Sequence, residues 1–387
     1  MKTPSVLGIV SYRIFPAEMG GQKAIADLYD SLAGFTQVTL VVSRENKDTG
    51  SDRSDRSQRP DRSDPVPVFP FLYNHWKAPL NILYLRRVQK LIKQRGIDVI
   101  IAEHSYLGFF LLLLRWLTKK PVCIRSHNIE SHRFRDMGRI WWPLYTWYEK
   151  RMHRRMDHSF FITEEDKSWA ISHWKLDPEK CSVLTYGTSA TAPIPLAQRI
   201  GAREQLLATY RLPAGTRLFL FNGSFDYLPN TDALRIILTE LLPLLKPSLI
   251  PFRIIICGKG LDKSWEKVLL DNPAILYAGF VKDIDLYLRG ADCFISPVTL
   301  GSGIRIKMVD ALAANQPMIA CKSAAKGIPA EITGSKMVLI DDYDWQAFAR
   351  AMLSLDPSVK NDTPEAFYTH FNQERIVTDA LLSLQAL

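Results

Sequence analysis

Short apolar runs alternate with longer amphipathic segments along almost the whole chain. The first half has runs such as Val6–Ser11 and Val38–Val42, and the second half repeats the pattern from Leu218–Asn222 to Met337–Ile340. This alternation is typical of βαβ units, in which helices bury both faces of a parallel sheet. Because 387 residues exceed one ordinary core, the sequence predicts an α/β protein with two doubly wound domains.

Two segments interrupt the alternation. The proline-containing stretch Ala190–Pro195 indicates a linker, so we expect a first domain over 1–189 and a second domain from 190. Residues 48–64 are polar, repetitive and nearly charge-balanced. Such a segment cannot bury apolar surface, and we interpret it as a mobile solvated insertion, with a phosphorylation or docking role as the alternative.

Net charge and cysteine usage limit the partners and the cellular compartment that we expect for this protein. The net charge of +9 favours anionic partners, such as nucleotides, phosphorylated substrates, acidic membranes or nucleic acid, without choosing among them. Five scattered cysteines without a Cys-x-x-Cys pair argue against a disulfide framework and a zinc site. The longest apolar stretch, Tyr106–Leu114, is too short to span a membrane. We therefore expect a cytoplasmic protein that contacts a membrane at most peripherally.

The segment Gly301–Ala313 has the composition of an anion site. A glycine turn runs into a helix, Arg305 and Lys307 lie near the start of that helix, and Asp310 follows one turn later. A helix start offers free N–H groups and the positive end of the helix dipole. The segment therefore suits a nucleoside diphosphate, with Asp310 accepting from ribose hydroxyls. The alternative is an ordinary strand–loop–helix with a solvated basic face.

Several phrases, in order along the chain, are similar to those of one enzyme family. They are Gly20-Gly21-Gln22, Arg125-Ser126-His127-Asn128-Ile129-Glu130, Ile162–Asp166, Gly223–Leu234, Gly258-Lys259-Gly260, Tyr277–Asp283, Tyr287–Asp292 and Gly301–Ala313. The chain resembles the family 4 glycosyltransferases, also described as glycosyl transferases group 1. The resemblance covers nearly the whole chain and is more specific in its second half.

This resemblance implies a GT-B architecture. Two Rossmann-like domains would face a cleft, and the last segment, 366–387, would cross back from the donor domain at 190–365 onto the first domain. The family activity is transfer of a sugar from a nucleotide sugar, here of the UDP or GDP type, to a glycan, lipid-linked or small-molecule acceptor, with retained configuration and without metal or other cofactor. Assembly of cell-surface polysaccharide is the implied process.

The resemblance also assigns candidate site residues. The donor-binding set is Gly20, Gly21, Gly223, Ser224, Lys259, Ser302, Gly303, Arg305, Lys307 and Asp310. His127 and Glu130 are the catalytic candidates, with His127 orienting the sugar or the acceptor. The family often has two glutamates where this chain has Ser302 and Asp310. Diphosphate binding is therefore the firmer expectation, and recognition of the sugar is left open.

Residues 133–158 interleave tryptophans and tyrosines with arginines and lysines. Such a segment is compatible with a membrane interface near a lipid-linked acceptor, with single-stranded nucleic acid, or with a partly buried helix that has a cationic outer face. Because the basic residues are spread along the chain without a recognised module, we expect no nucleic-acid partner. No histidine spacing indicates a metal site.

Two other functions stay open at this point. A nucleotide-sugar epimerase has a similar architecture, and incubation with donor alone would distinguish it from a transferase. A non-catalytic scaffold that binds a nucleotide or a membrane would also account for Ser302, Asp310 and the aromatic, basic segment.

Overall fold

The computed structural model describes residues 3–17, 20–46, 66–301, 303–356 and 361–387. The chain divides into two compact units, one formed by Met1–Gly187 with Gln373–Leu387 and the other by Thr188–Asn372. Both the expected insertion at 48–64 and the donor-site candidate Ser302 lie outside the described residues.

The first unit is built on a seven-stranded parallel sheet in the order β3-β2-β1-β4-β5-β6-β7. Its strands are β1 Val6–Val10, β2 Val38–Ser43, β3 Val68–Leu72, β4 Val99–Glu103, β5 Val122–Ser126, β6 His158–Phe161 and β7 Cys181–Val183. Its helices are α1 Gly20–Leu32, α2 Leu85–Arg95, α3 Gly108–Thr118, α4 Glu130–Asp136, α5 Trp142–His153, α6 Glu164–Trp174 and, at the end of the chain, α16 Gln373–Gln385. A 3-10 segment at His75–Tyr84 precedes α2.

Helices cover both faces of this sheet, which is why its central strands are apolar throughout. On one face α1 and α16 pack against Val6, Val10 and Leu40. On the other face α2, α3 and α5 pack against Leu7 and Ile9. Burial of β1, β2, β4 and β5 along their whole length therefore follows from the doubly wound arrangement.

The second unit has a six-stranded parallel sheet in the order β10-β9-β8-β11-β12-β13. Its strands are β8 Arg217–Asn222, β9 Phe252–Cys257, β10 Ile275–Gly279, β11 Cys293–Ser296, β12 Met318–Cys321 and β13 Met337–Ile340. Its helices are α7 Leu196–Thr209, α8 Leu228–Ile236, α9 Leu242–Leu245, α10 Lys263–Leu270, α11 Ile284–Gly290, α12 Ile306–Ala313, α13 Ala330–Thr333, α14 Trp345–Ser354 and α15 Glu365–His370. A π-helical turn at Ile237–Leu241 joins α8 to α9.

Three details differ from the sequence prediction. Gly20 and Gly21 begin α1 instead of lying in a loop. Strand β3 was not predicted, because prolines at 67 and 70 weaken its strand pattern at the sheet edge. The returning segment begins at Gln373 and not at 366. Helix α15 belongs to the second unit because Tyr368 donates to the Ala313 carbonyl over 3.3 Å.

Candidate functional site

The carboxyl ends of β8 and β11 form the point in the second sheet where the strand order reverses. Phe294 pairs with Leu220, and two residues further along each strand come Ser296 and Asn222. The side-chain oxygens Asn222 Oδ1 and Ser296 Oγ are buried without a hydrogen-bond partner among the described residues. In open α/β sheets ligands bind at such a reversal. Unpaired buried polar groups there indicate a polar ligand.

Two glycine loops after β8 and β9 pack tightly against each other. Phe225 N donates to the Lys259 carbonyl over 2.8 Å, and Gly258 N donates to Gly279 O over 2.7 Å. A Cβ on Gly258 would lie 1.8 Å from Gly223 O, and a Cβ on Gly223 would lie 2.6 Å from Asn230 Nδ2. The candidates Gly223, Ser224 and Lys259 therefore lie close together. Glycine is required at positions 223 and 258 because a side chain at either would collide with the atoms that lie against it.

Lys307 lies beside these loops in the first turn of α12. Its ammonium donates to the Asn222 carbonyl over 2.8 Å and to Asn230 Oδ1 over 2.9 Å, and it lies 4.3 Å from the centre of the Phe221 ring. Among the described residues, no carboxylate lies within ion-pair distance of the Lys307 ammonium. Burial, reinforced by the Arg305 charge, lowers the pKa of Lys307 to about 7. A half-buried cation with only neutral partners is suited to receive an anion.

Arg305 is placed differently from the sequence expectation. Its guanidinium donates to Leu300 O over 2.7 Å and to Ser323 O over 3.0 Å, with longer contacts to neighbouring carbonyls. Burial lowers the pKa of Arg305 to about 10. These contacts tie the turn before α12 to the segment after β12. Arg305 therefore orders the turn, and Lys307 is the cation with the smaller set of protein partners.

Two further donor candidates of the second unit are Gly303, in this turn close to the glycine at 301, and Asp310, in the helix that follows. Gly301 and Gly303 have φ of 85° and 82°, values that favour glycine. A Cβ on Gly301 would lie 2.9 Å from Tyr227 Oη, so the turn packs against the loop after β8. Asp310 is half-buried in the second turn of α12. Arg305, the N-cap residue of α12, makes no side-chain capping hydrogen bond; Met308 N donates to Arg305 O over 2.8 Å, while the N–H groups of Ile306 and Lys307 have no acceptor within the helix.

In the first unit a buried carboxylate, Glu103, ends β4 beside the reversal between β1 and β4. Arg125 Nη1 donates to Glu103 Oε2 over 3.2 Å, Tyr29 Oη donates to Oε1 over 2.9 Å, and His127 Nε2 contacts Oε2. Burial alone would favour the neutral carboxyl group. The Arg125 guanidinium and the His127 imidazole outweigh this effect and lower the pKa of Glu103 to about 2.

Both ring nitrogens of His127 are engaged by the protein. Nε2 faces Glu103, and Nδ1 lies 2.8 Å from Tyr186 Oη. Burial raises the pKa of Tyr186, so the phenol stays protonated and donates to Nδ1. Burial, with a contribution from His104, lowers the pKa of His127 to about 4. The imidazole is therefore neutral with its proton on Nε2.

Glu130 belongs to a second, adjacent network around His104. Its Oε2 accepts from Arg133 Nη2 over 2.6 Å and from Tyr106 Oη over 2.7 Å, while its Oε1 lies 3.3 Å from His104 Nδ1. The His104 ring is stacked on His127, with centroids 4.3 Å apart, and on Tyr106, at 4.8 Å. The two catalytic candidates, His127 and Glu130, are thus linked through His104.

Helix α5 holds this region in place. Glu149 accepts from Glu130 N over 2.9 Å and from Ser131 N over 3.0 Å at the start of α4. Tyr148 Oη donates to Ser105 O over 2.9 Å. The opposite side of α5 is exposed. The segment 133–158 therefore has a buried side that supports the site and an outer side with apolar and basic residues.

Sequence reasoning missed Glu103, His104 and Asn222. Each ends a buried strand or follows it directly, a position that parallel sheets use for ligand contacts. The dipeptide Glu103-His104 after an apolar run was the available signal.

Two further observations concern metal and membrane. In the parts of the chain that the structure covers, no three His, Cys, Asp or Glu side chains are grouped to hold a metal ion. Over those same parts, no helix has both the length and the apolar composition needed to cross a bilayer.

The two sheets and their strand-end sites define a protein of the GT-B class. The sequence profile described as Glycosyltransferase Family 4 matches residues 20–190, and the one described as Glycosyl transferases group 1 matches 216–356. The chain belongs to the family 4 glycosyltransferases and is a glycosyltransferase. The predicted family and fold class are confirmed. No curated protein sequence matches the chain.

Solved structures share the fold at low sequence identity. HepE from Anabaena in complex with UDP is 14% identical, with a TM-score of 0.73 over 99% of this chain and 100% of that chain. Sucrose-phosphate synthase from Thermosynechococcus elongatus is 16% identical, with a TM-score of 0.68 over 99% and 97%. UDP-N-acetylglucosamine 2-epimerase from Rickettsia bellii is 14% identical, with a TM-score of 0.57 over 100% and 97%.

Proposed function

We propose that this glycosyltransferase transfers a sugar from a nucleoside-diphosphate sugar to a glycan or lipid-linked acceptor during cell-surface polysaccharide assembly. The observation that carries the proposal is Lys307, whose ammonium has neutral partners, among them the main-chain carbonyl of Asn222, the residue whose side-chain Oδ1 is unpaired. A diphosphate would supply the missing negative charge. The presence of UDP in the HepE complex supports a uridine donor, with guanosine as the other candidate.

Departure of the nucleoside diphosphate requires stabilisation of its developing charge. Lys307 and the uncapped start of α12 offer a cation and backbone N–H groups at one place. Arg305 acts as a positioning residue that holds the turn through carbonyl contacts. We accordingly propose that transfer proceeds without a metal ion, so activity should persist in a chelator. From the family to which the chain belongs we also propose that the product keeps the donor's anomeric configuration.

We place the acceptor in the first unit, at the strand ends around His127, His104 and Glu130. The start of α1, with Gly20 and Gly21, lies in this unit, and a Cβ on Gly21 would meet nothing within 4 Å. Close approach of a phosphate to that backbone is therefore compatible with the local packing.

A lipid-linked acceptor fits the outer surface of α3 and α5. Trp116 and Trp147 are 66% and 56% exposed, and Leu144 is 69% exposed. The Lys119 ammonium lies 5.8 Å from the Trp116 ring, and the Arg151 guanidinium lies 5.4 Å from the Trp147 ring. Both helices pack on the same face of the sheet. Exposed aromatics beside cations are what an anionic lipid interface binds.

We place the reaction on the cytoplasmic face of the membrane. All five cysteines are buried as free thiols, which is the form that a reducing compartment maintains.

A thermal-shift panel of UDP, GDP, ADP and their sugars tests donor binding, because a ligand that binds the folded state raises the melting temperature. We expect one base to stand out. If no nucleoside diphosphate or nucleotide sugar shifted the melting temperature, the proposed donor site would be wrong.

The epimerase alternative rests on the shared fold with the Rickettsia bellii enzyme. The family profiles favour transfer.

A further inference from the structure

Two imidazole–carboxylate pairs lie stacked on each other in the first unit. His127 faces Glu103, which is further held by Arg125 and Tyr29. His104 faces Glu130, which is further held by Arg133 and Tyr106. Each pair thus consists of one histidine and one glutamate, locked by one arginine and one tyrosine.

The two pairs differ in the nitrogen atoms that they leave available. Both nitrogens of His127 have protein partners, and so do both nitrogens of the structural His153, which contacts Ser126 and Ser159. His104 has Glu130 opposite Nδ1, whereas its Nε2 has no hydrogen bond to any residue that the structure describes. Nδ1 lies 3.3 Å from Glu130 Oε1 without hydrogen-bond geometry, and the charge of this carboxylate favours a proton on Nδ1, which leaves a lone pair on Nε2.

His104 also has an unusual backbone conformation. Its φ is 66°, in the left-handed region that residues other than glycine seldom adopt. Lys119 and Lys175 have similar angles, but they cap the ends of helices. His104 instead follows strand β4 directly, where its N–H donates to Arg125 O over 2.8 Å. Such backbone strain at a strand end is common where a side chain is aimed at a ligand.

We propose that His104 binds a hydroxyl group of the acceptor through Nε2, and that Glu130 acts through His104 as a positioning residue. The hydroxyl donates to the lone pair of Nε2, while the Glu130 charge beside Nδ1 favours the Nδ1–H tautomer. His127, closed off by Glu103 and Tyr186, supports the His104 ring by stacking. The assignment of the bound group as an acceptor rests on the proposed function.

The test compares His104→Asn with His104→Gln. An asparagine amide approximates the Nδ1 side of the ring and tolerates positive φ, whereas a glutamine amide oxygen approximates Nε2. We expect His104→Asn to raise the acceptor KM by roughly 10- to 100-fold, the loss of one hydrogen bond, with the donor Kd within about twofold of wild type. His104→Gln should recover part of that loss. Equal acceptor KM values in His104→Asn and wild type would overturn the proposal, as would a donor Kd that changed in parallel with the acceptor KM.

A second readout does not depend on transfer. Nitrogen-15 NMR of the imidazoles, with the His104 signal assigned by its absence in His104→Asn, reports the tautomer. We expect Nδ1–H in the wild type and a mixture of tautomers in Glu130→Gln. An Nε2–H tautomer in the wild type would refute the His104 assignment. Failure of the wild type to transfer any sugar would instead refute the proposed function.

Discussion

The imidazoles of His104 and His127 are stacked with their centroids 4.3 Å apart, yet their nitrogens face different glutamates. This relationship changes the role expected for His127. Both of its ring nitrogens are held by Glu103 and Tyr186, so neither is available to a ligand. His104, at the end of β4, is the member with an available nitrogen.

Lys307 predicts a pH dependence of donor binding. Its pKa of about 7 in the free protein should rise when a diphosphate binds, so binding takes up a proton. UDP-glucose affinity should therefore be greatest below pH 7 and weaken as the pH rises through 7, by at most about tenfold per pH unit. Calorimetric titration between pH 6 and 9 measures this. UDP-glucose is a suitable ligand because its diphosphate is a diester. It therefore lacks the phosphate ionisation near pH 6 that would add a pH dependence of its own.

Two variants at Lys307 control for this effect. Lys307→Arg keeps its charge, so its affinity should change little with pH. Lys307→Met should bind the donor roughly 10- to 100-fold more weakly than the wild type at pH 6, the loss of a charge-assisted contact. The same pH profile in all three proteins would rule out Lys307 as the titrating contact.

Arg305→Met should lower the free energy of unfolding more than the same substitution at an exposed arginine does. The substitution leaves the Leu300 and Ser323 carbonyls without their donor, at a cost of about 2 kcal/mol or more in the free energy of unfolding. Arg235→Met is the matched control in the same unit. Arg235 is 48% exposed and pairs with Asp232, so we expect a change within about 0.5 kcal/mol. Urea denaturation measures both, and equal losses would contradict the ordering role of Arg305.

Gly258→Ala should separate the two glycine loops of the second unit. A Cβ there would lie 1.8 Å from Gly223 O, so one loop has to move. We expect weaker donor binding and a lower melting temperature. At Gly215 a Cβ would meet nothing within 4 Å, and Gly215→Ala should leave both quantities nearly unchanged. Donor affinity in Gly258→Ala equal to that of the control would show that the loops are not part of the site.

The aromatic surface of α3 and α5 predicts binding to anionic vesicles. The double variant Trp116→Ser, Trp147→Ser should lose most of its association with vesicles of phosphatidylcholine and phosphatidylglycerol in a flotation assay. Tyr343→Ser removes a 66% exposed aromatic from the second unit and should float like the wild type. Phosphatidylcholine alone should bind weakly, because the cations would have no counter-charge. If the double variant floated as well as Tyr343→Ser, the surface of α3 and α5 would not be the one that binds the vesicles.

The sequence was sufficient for the repeated βαβ pattern and for the glycine turn before α12, because both depend on residues close together in the chain. Gly301–Ala313 combines its glycines and Lys307 within 13 residues. The carboxylate network was not predictable in this way. Glu103 meets Tyr29 across 74 positions and Arg125 across 22, and only the strand order of the sheet brings them together.

Arg305 illustrates the other limit. Sequence spacing placed two cations at a helix start but did not distinguish a phosphate contact from a carbonyl contact. The fold separates them, because the segment after β12 brings Ser323 O within 3.0 Å of Arg305.

Product analysis tests the central claim most directly. The wild-type protein is incubated with the nucleotide sugar that shifts its melting temperature, with and without a panel of lipid-linked and free glycan acceptors, and the mixture is analysed by mass spectrometry and NMR. We predict a new glycoside that keeps the donor's anomeric configuration, formed also in the presence of a chelator, and a rate that falls sharply in Lys307→Met. Conversion of the donor to its epimer without any glycoside, or a transfer rate in Lys307→Met equal to that of the wild type, would contradict the account.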